Sequence, residues 1–249
     1  MIHLKTDEEI KIMQEGGRIL KKVADELVTM IKEGVTTEYI DKQAEKLIEK
    51  NGGKPSFKTV KDYHWSICIP INEQVVHTPP SSRRIVAGDV VTLDIGVLYK
   101  GLHTDYATTV LVDSDDKAKK HFLQVGQETL EKGIAQAKAG NHLGEISHAI
   151  QQEIEGHGWC ILKDLTGHGI GKELHEDPYV PNFLYRPIAK TLVLKQCLTI
   201  AIEVIYSMSS EDIMYEKGDD WSIQTADKSL SACFEKTVAI TDENTIILT

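Results

Sequence analysis

Val90-Val91-Thr92-Leu93-Asp94-Ile95-Gly96-Val97-Leu98-Tyr99-Lys100-Gly101-Leu102-His103-Thr104-Asp105-Tyr106-Ala107-Thr108-Thr109-Val110 is rich in β-branched and aromatic residues on both sides of a turn near Tyr99-Lys100-Gly101. Composition of this kind reads as two strands, Val90 to Tyr99 and Leu102 to Val112, joined as an antiparallel hairpin. Each strand carries an acid, Asp94 between Leu93 and Ile95, and Asp105 between Thr104 and Tyr106. A carboxylate inside an apolar strand is costly unless it is paired or bound to a cation. A two-residue turn at Tyr99 and Lys100 sets the two acids directly opposite, with about 5 Å between Cβ atoms, and a turn one residue later makes them diagonal neighbours. Either register can clamp one ion or bridge two, and a divalent cation relieves the repulsion of two buried like charges.

The situation recurs in the second half. β-Branched segments run from Leu198 to Tyr206, Trp221 to Gln224, Cys233 to Thr241 and Thr245 to Leu248, and they hold Glu203 and Glu235 among apolar neighbours. Gly88 stands six residues before Asp94, and Cys197 six before Glu203. Helices precede each strand set. Thr6-Asp7-Glu8-Glu9 is a capping box, with Ile10, Met13, Ile19, Leu20, Val23 and Leu27 at helical spacing to about Ile31. A second helix follows Thr36-Thr37 and stops at Gly52-Gly53, a third runs from Ser114-Asp115-Asp116 to Gly140, and a fourth from Leu143 to His157. The order helices, strands, helices, strands is a weak internal duplication. No linker separates the halves, so the expectation is one α+β domain over residues 1–249 with its halves packed together.

His168 joins the acids from Thr166-Gly167-His168-Gly169-Ile170-Gly171, where glycine lets the backbone curve close to a ligand. Four carboxylates and one imidazole make an oxygen-rich set that suits Mn, Fe(II) or Co, with Zn or Ni as further candidates, better than it suits a structural zinc. Two such ions are a usual device for hydrolysis, polarising a carbonyl and lowering the pKa of a water. His103 shares a strand face with Asp105 and is either an extra ligand or a buried neighbour.

Composition removes other classes. Hydrophobic residues at 41% and charged residues at 27% are ordinary globular values. No run approaches the roughly eighteen apolar residues of a membrane span. A net charge of -10 argues against nucleic-acid binding, which needs clustered Lys and Arg. Cys68, Cys160, Cys197 and Cys233 form no CxxC pair, so neither a zinc ribbon nor a disulfide framework is expected. Met1-Ile2-His3-Leu4-Lys5 passes straight into the first helical pattern, from which a cytoplasmic location is expected.

Several motifs combine. They are Cys68-Ile69-Pro70-Ile71-Asn72-Glu73 followed by His77, Gly88-Asp89-Val90-Val91 leading to Asp94, and Asp105 eleven residues on. Gly167 to Gly171 follows with His175-Glu176-Asp177-Pro178, then Thr199-Ile200-Ala201-Ile202-Glu203, Trp221, and Ser231 to Thr237 around Glu235. Over essentially its whole length the chain resembles the methionine aminopeptidases of bacterial, extension-free type, within peptidase family M24. The resemblance implies the pita-bread fold, two αββ-type halves related by a pseudo-twofold about a dinuclear site. It implies that Asp94 chelates one metal, Asp105 and Glu235 bridge, and His168 and Glu203 hold the second. His175 would steady the developing oxyanion, His77 would contact the scissile amide, and Glu203 would double as proton shuttle. The matching substrate pocket is Phe57, Val60, Tyr63, Cys68, Leu174 and Trp221, with His77 and His175 at its mouth. The implied partners are the N-termini of nascent polypeptides or peptides, with a transient ribosome contact in prospect and a monomeric state.

The sequence departs from the family pattern in places. Val204 follows Glu203 where proline is usual, Gln196-Cys197 replaces a Pro-Gly turn, Thr78 follows His77 where glycine is usual, and Lys236 stands where histidine is common. Val60 and Leu174 occupy positions that are often aromatic, which leaves methionine specificity less determined than the reaction. Cleavage beside proline, and a metal-free binding role on the same fold, are the alternative readings.

Overall fold

The computed structural model describes residues 2–241 and 244–249. The first helix, α1 (Asp7–Val28), begins at the expected capping box: Thr6 Oγ1 accepts from the Glu9 amide at 3.2 Å, and the Glu9 carboxylate accepts from the Thr6 amide at 2.8 Å. It stops short of Ile31, because Met30 N and Ile31 N bond three residues back to Leu27 O and Val28 O and tighten the end into a turn. The others are α2 (Thr37–Lys50), capped by Thr36, α3 (Lys117–Gln136), capped by the Asp116 carboxylate, and α4 (Leu143–Gly156). The third therefore begins after Asp116 and ends before Gly140, and its neighbours Ser114 and Asp115 lie outside it.

The strands are β1 (Lys54–Pro55), β2 (Ile67–Cys68), β3 (Gln74–Val76), β4 (Val90–Tyr99), β5 (Leu102–Leu111), β6 (Cys160–Ile161), β7 (Thr166–Gly169), β8 (Glu176–Pro181), β9 (Thr199–Ser207), β10 (Ile213–Tyr215), β11 (Ile223–Thr225), β12 (Ser231–Ile240) and β13 (Thr245–Ile247). The main sheet runs β1-β4-β5-β12-β9-β7-β8, with β2, β6 and β13 attached to β4, β9 and β12, while β10-β11-β3 form a small second sheet. The short strands escaped the sequence reading because two or three residues carry no period of their own. Around the β5–β12 seam the order is mirrored, β1-β4-β5 against β12-β9-β7, as the internal duplication predicts.

Alternation along the strands sorts side chains by face. Val91, Leu93, Ile95 and Val97 of β4 are buried with Leu20, Val23, Leu27, Ile40, Ala44 and Ile48 of α1 and α2. Ile200, Ile202, Val204 and Tyr206 of β9, with Phe234 and Val238 of β12, pack with Phe122, Ile146, Ile150 and Ile154 of α3 and α4. Each fully buried side chain of this size contributes about 1.5–3 kcal/mol, so both helix pairs are held to one side of the sheet. The interleaved positions, which include Asp94, Asp105, Glu203 and Glu235, are left for the other side.

Candidate metal centre

The β4–β5 hairpin turns at Lys100 and Gly101, both at positive φ (48° and 84°), the backbone of a type I′ turn. Tyr99 therefore pairs with Leu102, Asp94 with Ala107 and Gly96 with Asp105. Of the two registers open to the sequence, the diagonal one is realised. The pairing extends the row sideways: Cys68 of β2 pairs with Asp94, Ala107 with Glu235 of β12, and Glu235 with Glu203 of β9. Residues paired across strands share a face, so Cys68, Asp94, Ala107, Glu235 and Glu203 line one track across the sheet. Ala107 sits in the middle of that track, and its methyl group leaves the space above the sheet open.

His168 reaches the track from β7, paired with Ala201 two residues from Glu203. Its Nδ1 lies 2.8 Å from Gly169 O, an acceptor, so Nδ1 carries the proton and Nε2 is left with its lone pair toward the acids. Nε2 stands 3.6 Å from Glu203 Oε1 and 4.0 Å from Glu235 Oε1. One ligand atom each from Asp105, His168 and Glu235 lie within 4.8 Å of one another. Asp105 is held through its backbone: its N–H donates to Thr237 Oγ1 at 2.9 Å, and its carbonyl accepts from Thr237 Oγ1 at 2.8 Å and from Thr249 Oγ1 at 3.2 Å. Those hydroxyls replace ladder bonds where β5 and β12 part.

The electrostatics describe a site built for cations. Burial pushes Asp94 up to about 7, partly offset by a hydrogen bond from Cys68. Asp105, Glu203 and Glu235 are driven well above the usual carboxylate range, by burial first and then by neighbouring acids, Asp94 for the first two and Asp105 for Glu235. Burial lowers His168 to about 3, so its imidazole is neutral at pH 7. Glu235 Oε1 is buried and has no hydrogen-bond partner, and such an orphan acceptor calls for a cation. All the donor atoms are carboxylate oxygens or one neutral imidazole nitrogen, so the residues present fit divalent metal ions.

A pocket of about 140 Å³ opens beside this cluster, the space of a benzene-sized group. It brings together every residue expected of the substrate pocket: Phe57, Val60, Tyr63, Cys68, His77, Leu174, His175 and Trp221. Tyr63 is its centre, edge-on to Phe57 at 6.4 Å and to Trp221 at 5.0 Å, with its hydroxyl donating to Ile67 O at 2.8 Å. Val60 and Trp221 are half-buried and Leu174 is buried against the same cluster. His77 and His175 are solvent-accessible at the mouth, yet protein surrounds the rings closely enough that burial lowers both pKa values, His77 to about 4. His77 occupies φ +60°, a sparsely populated conformation for a non-glycine residue. The rings of His168 and His175 meet edge to face at 4.4 Å.

His103 does not join the cluster. Its Nδ1 is paired with Ser56 Oγ at 2.9 Å, which makes it a buried neighbour of the site. Lys236 turns to the helix side and pairs with Glu131 at 2.5 Å, as alternation along β12 requires. Cys233 and Val76 also line the pocket, and Ala107 floors the metal cluster; none was singled out from sequence. Cys233 lies two residues before Glu235 and so on its face, a signal that was available. Val76 belongs to a short strand and Ala107 depends on the hairpin register, so neither was marked by local pattern.

A sheet-borne cluster of acids and a neutral imidazole beside an apolar pocket defines a metal-dependent hydrolase. Residues 11–242 match the description of metallopeptidase family M24. The chain is 40% identical to methionine aminopeptidase 1 of Bacillus subtilis over 249 residues, which is 100% of this chain and 99% of that one. It is 39% identical to the methionine aminopeptidase of Clostridium perfringens, again over 100% and 99%. The crystal structure of methionine aminopeptidase from Thermotoga maritima superposes with a TM-score of 0.96 at 36% identity, covering 100% of this chain and 99% of the other. Prolidase from Pyrococcus furiosus superposes at 0.79 with 25% identity, covering 99% of this chain and 65% of that one. The chain belongs to metallopeptidase family M24 and has the pita-bread fold.

Proposed function

We propose that this chain is a methionine aminopeptidase, removing the N-terminal methionine from peptides and nascent polypeptides within one catalytic domain spanning residues 1–249. The observation that carries the reading is the junction of a small aromatic and aliphatic pocket with the acid and imidazole cluster. Full-length similarity to methionine aminopeptidases supports it.

In this reading Asp94, Asp105, His168, Glu203 and Glu235 would hold two divalent ions. When bound, the ions polarise the scissile carbonyl and make water a nucleophile near neutral pH. The chain's own residues do the rest. The pocket around Tyr63 takes the first side chain and excludes water from it. Glu203, whose carboxyl burial holds well above its usual range, passes a proton toward the leaving amine. His175, a neutral imidazole at pH 7, donates an N–H to the oxyanion as charge develops, and neutral His77 hydrogen-bonds the scissile amide.

The test is release of methionine from Met-Gly and Met-Ala peptides by purified protein loaded with Mn or Co, with Asp94→Asn as control. No release by the wild type would end this reading. Shared architecture with prolidase keeps cleavage beside proline as the second reading, and preference for Ala-Pro over Met-Ala would favour it. Failure to take up metal on reconstitution would instead support a binding role. Among the described residues no helix is long and apolar enough to cross a membrane. A cytoplasmic location, a monomeric state and a transient ribosome contact complete the proposal.

A further inference from the structure

Lys5 precedes α1 and would be expected in solvent, yet its side chain is 3% exposed and its ammonium lies 2.5 Å from Glu176 Oε2, itself 5% exposed. The segment is tied down at both ends. Lys5 N donates to Cys197 O at 2.8 Å, and Thr6 caps the helix. The ammonium also donates to His3 O at 3.1 Å.

On the other side of the pair, Glu176 Oε1 accepts from the Glu173 amide at 3.2 Å. Gly171 N donates to Glu173 O at 3.0 Å, and Gly171 O accepts from His103 N at 2.7 Å. The ion pair rests directly on this turn. A Cβ at Gly171 would lie 2.2 Å from Lys5 Cε and 2.9 Å from Glu176 Oε1, so only glycine lets the pair close over the backbone. Between Gly171 and Glu176 the turn carries Leu174, a wall of the pocket, and His175, whose ring meets His168.

A buried ion pair is a poor source of stability, because desolvation offsets its attraction. Its value here is geometric. Glu176 adjoins His175 in sequence, and its carboxylate has directional bonds to the turn on one oxygen and to Lys5 on the other. We propose that Lys5 is a positioning residue: acting through Glu176, it sets the 171–176 turn so that His175 and Leu174 face the metal centre and the pocket. This rests on the aminopeptidase reading above. A displacement of about 1 Å at a reacting group can cost on the order of a hundredfold in rate.

The experiment compares Lys5→Met and Lys5→Arg with the wild type, each alone and combined with His175→Ala. It measures kcat and KM on Met-Ala peptide and amide hydrogen exchange across residues 171–176. For Lys5→Met the expected result is kcat lower by about tenfold to a hundredfold, a smaller change in KM, and faster exchange confined to the turn. Lys5→Arg restores part of kcat. In the His175→Ala background Lys5→Met should lower kcat by less than about twofold, because residues acting through one another are not additive. If Lys5→Met does not fold, Lys5→Met with Glu176→Gln removes both charges and carries the same comparisons.

An unchanged kcat in an active enzyme sinks the positioning role alone. So does an undiminished loss in the His175→Ala background, or faster exchange spread over the whole chain. Inactivity of the wild type sinks the aminopeptidase reading and the role with it.

Discussion

At the scale of single residues, the four acids differ from ordinary surface carboxylates in having been removed from water without cationic side chains to pair with them. Asp94, Asp105, Glu203 and Glu235 face one imidazole that burial keeps neutral. Asp94→Asn removes a charge from the proposed metal site while preserving shape. It is expected to lower metal stoichiometry and activity together, read by elemental analysis and methionine release. The pocket residues make a separate prediction about specificity. Val60→Phe and Leu174→Phe narrow a pocket in which one methylene is worth about 1–3 kcal/mol of discrimination. These variants should therefore lose activity toward residues bulkier than methionine by about tenfold or more, read as the ratio of kcat/KM between two substrates. An unchanged ratio would place Val60 and Leu174 outside the selecting surface.

At the scale of elements, the site depends on register. The type I′ turn at Lys100-Gly101 puts Ala107, a residue with no chemistry of its own, opposite both Asp94 and Glu235. Ala107→Leu adds a branched side chain to the track at a cost of about 1–3 kcal/mol from overpacking. Its expected signature is metal affinity weakened by more than the fall in melting temperature accounts for, measured by calorimetric titration. Much of this level was legible beforehand: the hairpin, the helix pairs, the capping box at Thr6 and the mirrored order of the halves all carry local periodicity. The short strands were not legible. β7 is four residues with two glycines, and β8 contains two prolines, so both are strands only because β9 offers a partner to β7 and β7 to β8. The turn chosen between two adjacent registers was also undecided, since Tyr99-Lys100-Gly101 supports either.

For the whole molecule, the repulsion collected at the sheet centre links metal, pH and stability. Asp94 titrates near 7 in the folded metal-free chain against about 3.9 when unfolded. A raised carboxyl pKa contributes stability that is present below the unfolded value and lost as pH rises through the folded one. His77, His103 and His168, lowered to about 4, about 4 and about 3, and His175, also lowered by burial, act in the opposite direction, an effect that fades about one pH unit above the unfolded histidine value of about 6.5. From about pH 7.5 to 8.5, once the unfolded histidines have lost their protons, the raised carboxylates therefore dominate. The metal-free protein should lose melting temperature across that window, and saturating Mn should abolish or reverse the slope. A melting temperature that rises from about pH 7.5 to 8.5 without metal would contradict this account of the site. Removing the metal with a chelator at pH 7.5 should lower the melting temperature, because ions that bind only the folded state stabilise it by mass action.

The amino-acid sequence by itself marked the residues proposed to carry the chemistry, because a carboxylate set into an apolar strand announces its own cost, and determined the duplicated α+β plan, because periodicity is local. Only the tertiary structure decided how those residues meet: the diagonal placement of Asp94 and Asp105, the open floor at Ala107, the threonines that hold Asp105, and the closure of Lys5 on Glu176. These are contacts between segments far apart in the chain. Their geometry comes from strand pairing and packing, which no single stretch of sequence contains.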